Sequence, residues 1–64
     1  MVKVNGETEN AQGLSIQEYL TQKGYEQNRV VVERNLEIVC REKYAETVLE
    51  DGDSLEILCF VGGG

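Results

Sequence analysis

Leu14-Ser15-Ile16-Gln17-Glu18-Tyr19-Leu20-Thr21-Gln22-Lys23-Gly24-Tyr25 is the stretch on which the architecture turns. Ser15 and Glu18 stand at capping-box spacing, so each can satisfy an amide that the start of a helix leaves open. Leu14 and Tyr19 bracket that box at the positions of a hydrophobic staple. Ile16, Tyr19 and Leu20 share one face at helical spacing. Gly24 supplies a left-handed stop, and Tyr25 is placed to pack back on Leu20. The pattern predicts a helix from Ile16 to Lys23 with one apolar face.

Upstream of it, Met1 to Val4 alternates and meets Asn5-Gly6, a pair whose tolerance of positive φ makes it a strong hairpin signal. Glu7 to Ala11 reads as the returning strand, ended by Gln12-Gly13. Downstream, Arg29 to Arg34 is short and β-branched, and Asn35 turns the chain into a second strand near Glu37 to Cys40. Arg41 to Glu46 reads as a helical turn that seats Tyr44. Asp51-Gly52-Asp53 is a turn between Val48-Leu49 and a last strand, Leu55 to Val61. The order is strand, strand, helix, then three strands. Neighbouring parallel strands require a crossover, and the helix is the only element long enough to make one. The first and last strands are rich in apolar residues and are placed centrally. The expected fold is α+β, a β-grasp (ubiquitin-like) mixed five-stranded sheet with one helix packed on one face. Residues 1–60 form that domain, and residues 61–64 a flexible C-terminal glycine tail.

Sixty-four residues make one small domain, which buries about 60% of its unfolded surface. Six Lys and Arg stand against twelve Asp and Glu, a net charge of −6. Nucleic acid is excluded as a partner, because phosphate contacts need clustered cations. The charge favours a basic protein surface, and it also serves solubility alone. No apolar run is long enough to span a bilayer and no basic-then-apolar leader is present, so no membrane partner and a cytoplasmic location are expected. With no histidine and only Cys40 and Cys59 as thiols, a metal site is not expected and the thiols are expected reduced. There is no Ser/His/Asp set and no phosphate-binding loop, so the chain is not expected to be an enzyme.

What remains is Val61-Gly62-Gly63-Gly64. Gly62, Gly63 and Gly64 carry no Cβ and can thread a slot closed to other residues, delivering the α-carboxylate of Gly64. A frayed terminus is the competing reading. Four residues beyond Phe60 reach at most about 13–14 Å, far enough to enter an active site while the body stays outside. Partners should then grip the tail through its main chain. In the last strand, Leu58 and Phe60 share parity with Glu56, which should face water. With Val31 they form an expected partner-docking patch, unless a bulge shifts the register and buries them. Cys59 is expected as a small buried apolar residue. Glu50, Asp51 and Asp53 are read as ordinary turn and surface residues in preference to a rim that meets a basic partner, Lys3, Lys23 and Lys43 as solvated lysines in preference to conjugation sites, and Tyr19, Tyr25 and Tyr44 as packing residues.

Four segments carry a family resemblance: Val4-Asn5-Gly6-Glu7, Val32-Glu33-Arg34-Asn35, Ile38-Val39-Cys40-Arg41-Glu42, and Asp51-Gly52-Asp53 running to Phe60-Val61-Gly62-Gly63-Gly64. Over essentially its whole length the chain resembles the ThiS family, the sulfur carrier proteins of thiamin biosynthesis. It departs from that pattern at Cys40, where the family often has proline, and at Cys59. The resemblance implies that an E1-like adenylating enzyme of the ThiF type uses ATP and Mg²⁺ to form an acyl-adenylate at Gly64. Sulfur from a sulfur-donating protein then displaces AMP and leaves a thiocarboxylate, which passes to a thiazole synthase of the ThiG type. The chain itself would bind no cofactor. A molybdopterin-type sulfur carrier and a ubiquitin-like protein modifier use the same tail and remain open alternatives.

Overall fold

Two hairpins and a helix assemble around strand β5 in the computed structural model, which describes residues 1–60. The elements are β1 (Val2–Val4), β2 (Glu7–Glu9), α1 (Ile16–Lys23), β3 (Val30–Arg34), β4 (Glu37–Val39) and β5 (Ser54–Cys59), with short 3₁₀ turns at Gln27–Arg29 and Arg41–Lys43. The sheet order is β2-β1-β5-β3-β4. β1 runs parallel to β5, and every other pairing is antiparallel. The first and last strands are therefore both internal and the helix makes the crossover between the hairpins, as the apolar content and the crossover rule require. The β-grasp expectation holds. Strand ends differ from expectation: β2 stops at Glu9, β4 at Val39 and β5 at Cys59.

The helix start is closed on every side. Ser15 Oγ accepts from the Glu18 amide at 3.0 Å, and a Glu18 carboxylate oxygen accepts from the Ser15 amide at 2.8 Å. The amides of Ile16 and Gln17 donate to the Thr47 and Tyr44 carbonyls, at 2.9 and 3.1 Å. The loop before β5 thus supplies what the helix cannot supply itself. At the other end Gly24 takes φ 83°, while the Gly24 and Tyr25 amides return to Thr21 and Leu20, a Schellman stop.

Ile16, Tyr19 and Leu20 of the helix meet Val2, Val4, Val30, Val32, Leu55 and Ile57 of the sheet, and Ala11, Tyr44 and Leu49 close the margins. Tyr44 is seated by the 3₁₀ turn before it and is buried. Burial, then the neighbouring Glu9 carboxylate, pushes the Tyr19 hydroxyl well above its ordinary pKa. Glu9 is held below the usual carboxylate range chiefly by Lys23, whose ammonium lies 3.0 Å away. That pair ties the β2 edge to the last turn of the helix.

Candidate functional site

Only one face of the sheet is covered by the helix; the other carries the candidate docking residues. The β3–β5 ladder runs without a bulge from Val30↔Cys59 to Arg34↔Leu55. Two backbone bonds, Asn35 N to Ser54 O and Phe60 N to Arg29 O, both 2.8 Å, frame it. Val31↔Leu58 and Glu33↔Glu56 are therefore the hydrogen-bonded pairs, and their side chains leave on the open face. Leu58 and Phe60 are each 59% exposed, and Val31 is half-buried beside Leu58. The three residues singled out from strand parity are thus brought together at the end of β5 that leads into the tail.

Gly62, Gly63 and Gly64, with Val61, lie outside the described residues. The described chain shows how their starting point is held. Asn5 follows β1 in the hairpin turn with φ 51°, and its side-chain amide faces the backbone of β5. Its Oδ1 accepts from the Ile57 amide at 2.8 Å and its Nδ2 donates to the Ile57 carbonyl at 3.3 Å. One side chain so extends the parallel ladder past the end of β1 and fixes β5 two residues before Cys59. On the other side the Phe60–Arg29 bond carries the alignment one residue further.

The acidic turn has an internal role. Asp53, expected as an ordinary surface residue, is buried. Its Oδ2 accepts from Arg34 Nε at 2.8 Å and from the Glu50 amide at 2.9 Å, and its Oδ1 accepts from Asn35 Nδ2 at 3.1 Å. Burial alone would raise its pKa, but the Glu50 amide, the Asn35 amide and the Arg34 guanidinium outweigh it and hold the carboxyl below its ordinary range. Asn35 Oδ1 also accepts from the Ser54 amide at 3.0 Å. The β3–β4 turn is thereby fastened to the start of β5.

Cys59 requires a correction, since it is exposed rather than buried. It has the parity of Leu55 and Ile57 and pairs with Val30, but it sits at the sheet end, beyond the cover that buries those two. Cys40 is exposed as well, at the head of the second 3₁₀ turn. It lines a shallow depression with Gln27, Arg41 and Glu42. Among the described residues no group of three or more acidic or cysteine side chains is placed to hold a metal ion, and no helix is long and apolar enough to cross a membrane.

Two exposed apolar residues on the β3–β4 hairpin were not singled out from the sequence. Ile38 is 70% exposed and pairs with Glu33, which places it on the open face. Leu36 is 89% exposed and adopts φ 72°.

The sequence matches the ThiS family model over residues 1–64. It is 48% identical over 50 residues to the sulfur carrier protein ThiS of Bacillus subtilis, covering 78% of this chain and 76% of that one. It is also 44% identical over 62 residues to a thiazole synthase of Paramagnetospirillum magneticum, and 38% identical over 64 residues to one of Magnetococcus marinus. Those matches take in 95% and 98% of this chain but only 19% and 20% of the length of the synthases. Among solved structures, the thiamine biosynthesis protein ThiS from Geobacter metallireducens superposes with a TM-score of 0.77 at 37% identity, covering 98% of this chain and 97% of that one. A family model that matches end to end, a homologous carrier and a superposable structure agree: the chain belongs to the ThiS family.

Proposed function

We propose that this chain is a sulfur carrier of thiamin biosynthesis, a protein co-substrate without catalytic machinery, acting in the cytoplasm. Its working group is the α-carboxylate of Gly64. A carboxylate spreads its charge over two oxygens and is a poor electrophile. One carboxylate oxygen attacks the α-phosphorus of ATP in the active site of a ThiF-type enzyme, and pyrophosphate leaves. Sulfide-level sulfur, already released from a donor protein, then attacks the activated carbonyl, and AMP leaves with the bridging oxygen, so that the thiocarboxylate forms directly. The thiocarboxylate is delivered to a ThiG-type thiazole synthase. The observation that carries this reading is the Gly62-Gly63-Gly64 run on a ThiS-family body. The two thiazole synthases that contain a segment similar to this whole chain support the choice of recipient.

The body docks and the tail reacts. Leu58, Phe60 and Val31 offer the adenylating enzyme an apolar contact shortly before the glycine run in the sequence, at the end of a strand held by Asn5 and by β3. Intact mass after incubation with the adenylating enzyme, ATP and a sulfur source tests the proposal. Exchange of one oxygen for sulfur, mapped to Gly64 and lost in Gly63→Val, is expected. An unchanged mass with an enzyme active on another carrier refutes it. Isopeptide conjugates to target lysines in place of the thiocarboxylate would instead assign the chain as a protein modifier.

A further inference from the structure

Three features of the β3–β4 hairpin and the strand beside it are unexplained by the isolated protein: two cost stability, one leaves apolar surface in water, and no contact among the described residues offsets them. The first is Leu36. The two-residue turn Asn35-Leu36 holds φ 52° and 72°, the geometry that Asn-Gly adopts freely at Asn5-Gly6 (φ 51° and 86°). Leucine in the glycine place is strained by its Cβ. Its side chain gains no burial in return, being the most exposed large apolar residue among those described. The second is Ile38, a β-branched side chain left on the open face. The third is the pair Glu33↔Glu56, two carboxylates directly opposite across a ladder, an arrangement that repels. None of the ion pairs among the described residues involves either one.

Register makes these one surface. Ile38, Glu33 and Glu56 form a row across β4, β3 and β5, the next open-face row is Val31 and Leu58, and Phe60 follows. Leu36 lies two residues from Ile38 at the hairpin tip. We infer that Leu36, Ile38 and the Glu33–Glu56 pair form a second contact area for the adenylating partner, taking apolar side chains on the two aliphatic residues and an arginine or lysine between the two carboxylates. The inference rests on the carrier function proposed above.

Charge selects the occupant. A second copy of this chain brings the same opposed carboxylates and a net charge of −6, and an anionic lipid surface is repelled likewise. Two carboxylates alone are too few ligands for a divalent cation. A cationic group on a protein relieves the repulsion and sits beside apolar contacts, the composition of a specific interface. Between the two enzymes that handle the tail, chemistry favours the first. Adenylation must pick this carboxylate out of all protein C-termini, so it has to read the body. The later enzyme meets a thiocarboxylate, which already marks the carrier.

The test is steady-state pyrophosphate release by the cognate adenylating enzyme with sulfide present, and sulfur transfer from the resulting thiocarboxylate at the thiazole synthase, with melting curves of the same proteins, for the unaltered chain, Leu36→Gly, Ile38→Ser and the double variant Glu33→Gln/Glu56→Gln. Leu36→Gly is expected to raise Tm by about 4–8 °C while raising the KM for the carrier about tenfold, the effect falling on KM rather than kcat. The double variant is expected to be at least as stable as the unaltered chain, with a raised KM that responds less steeply to salt. Unchanged KM in all variants overturns the inference while leaving the carrier function intact. So does a loss confined to sulfur transfer at the thiazole synthase, which would give this surface to that enzyme. A lowered Tm for Leu36→Gly overturns the strain argument. Failure of the unaltered chain to be adenylated overturns the carrier reading and this inference with it.

Discussion

Asp53→Asn is the substitution whose outcome the structure specifies most closely. It changes little in shape and removes one charge at a carboxylate that accepts from three donors. The new amide has one oxygen and one NH₂. If the NH₂ takes the Oδ2 place, it faces Arg34 Nε–H and the Glu50 amide, two donors at once. Turned over, it faces Asn35 Nδ2, and Asn35 cannot turn in response without losing the bond from the Ser54 amide to its Oδ1. At least one bond is lost in either orientation, and the partly buried Arg34 guanidinium loses the nearer of its two counter-ions, keeping only Glu50 at 4.0 Å. One lost bond and a weakened charge-assisted one amount to about 2–3 kcal/mol. That is a large part of the ~3–10 kcal/mol expected for a domain this small, and it lowers Tm by about 10–20 °C. The effect must also depend on pH. The folded-state pKa of Asp53 is depressed, so its contribution is fully present above the ordinary carboxylate pKa and is lost as pH falls through the depressed value. Melting curves followed by circular dichroism across the acid range provide the check: the gap between variant and unaltered protein should be widest near neutrality and close in acid. An equal Tm at neutral pH, or a gap that persists unchanged into acid, would refute the reasoning.

Other substitutions probe separate links. Ser15→Ala removes the cap that accepts from Glu18 and should cost about 1 kcal/mol by urea unfolding, with the m-value unchanged. Gly24→Ala should cost about 1 kcal/mol through its left-handed backbone alone, because nothing lies within 4 Å of the added Cβ; a larger loss would reveal a packing role. Phe60→Glu should leave melting nearly unaltered, since the ring is exposed, and abolish detectable binding to the adenylating enzyme in a titration; lost folding would contradict the open-face assignment. Asn5→Ala should cost about 1–3 kcal/mol by thermal melting, because it leaves the Ile57 amide without its partner.

The helix was legible because its signals are local. Ser15, Glu18 and Gly24 act on amides within a few residues, and the apolar face repeats within two turns. Strand order followed from the crossover requirement, and the exposure of Leu58 and Phe60 from parity against Glu56. What stayed hidden depends on register or on distant partners. Asp53 looked like any turn acid because Arg34 and Asn35, which bury it, lie far back in the sequence. The opposition of Glu33 to Glu56 exists only once two strands are aligned, and the face of Ile38 in a three-residue strand is fixed by Glu33 rather than by its own neighbours. Asn35 announced a turn, but nothing in a leucine announces positive φ. Cys59 was placed on the correct face and given the wrong burial, since parity does not say where the cover ends.

If the chain is the carrier proposed above, its one tail must serve two enzymes, and that sets a constraint on the open face. On that reading, an enzyme that held the open face and the tail would exclude the other, so each complex would have to form readily and also come apart. A broad apolar face would bind too durably and would pair copies of the chain with one another. Here the Glu33 and Glu56 carboxylates lie in the same row as Ile38 and beside the Val31–Leu58 row, which keeps the apolar surface small and broken, and a net charge of −6 sets copies apart. Charge complementarity raises association rates more than it slows dissociation, which suits a protein that must be handed on. On the inference drawn above, the exposure of Leu36 and the repulsion of the two carboxylates would weaken the free protein slightly and be relieved in the complex with the adenylating enzyme, whereas the positive φ of Leu36 is a cost carried in both states.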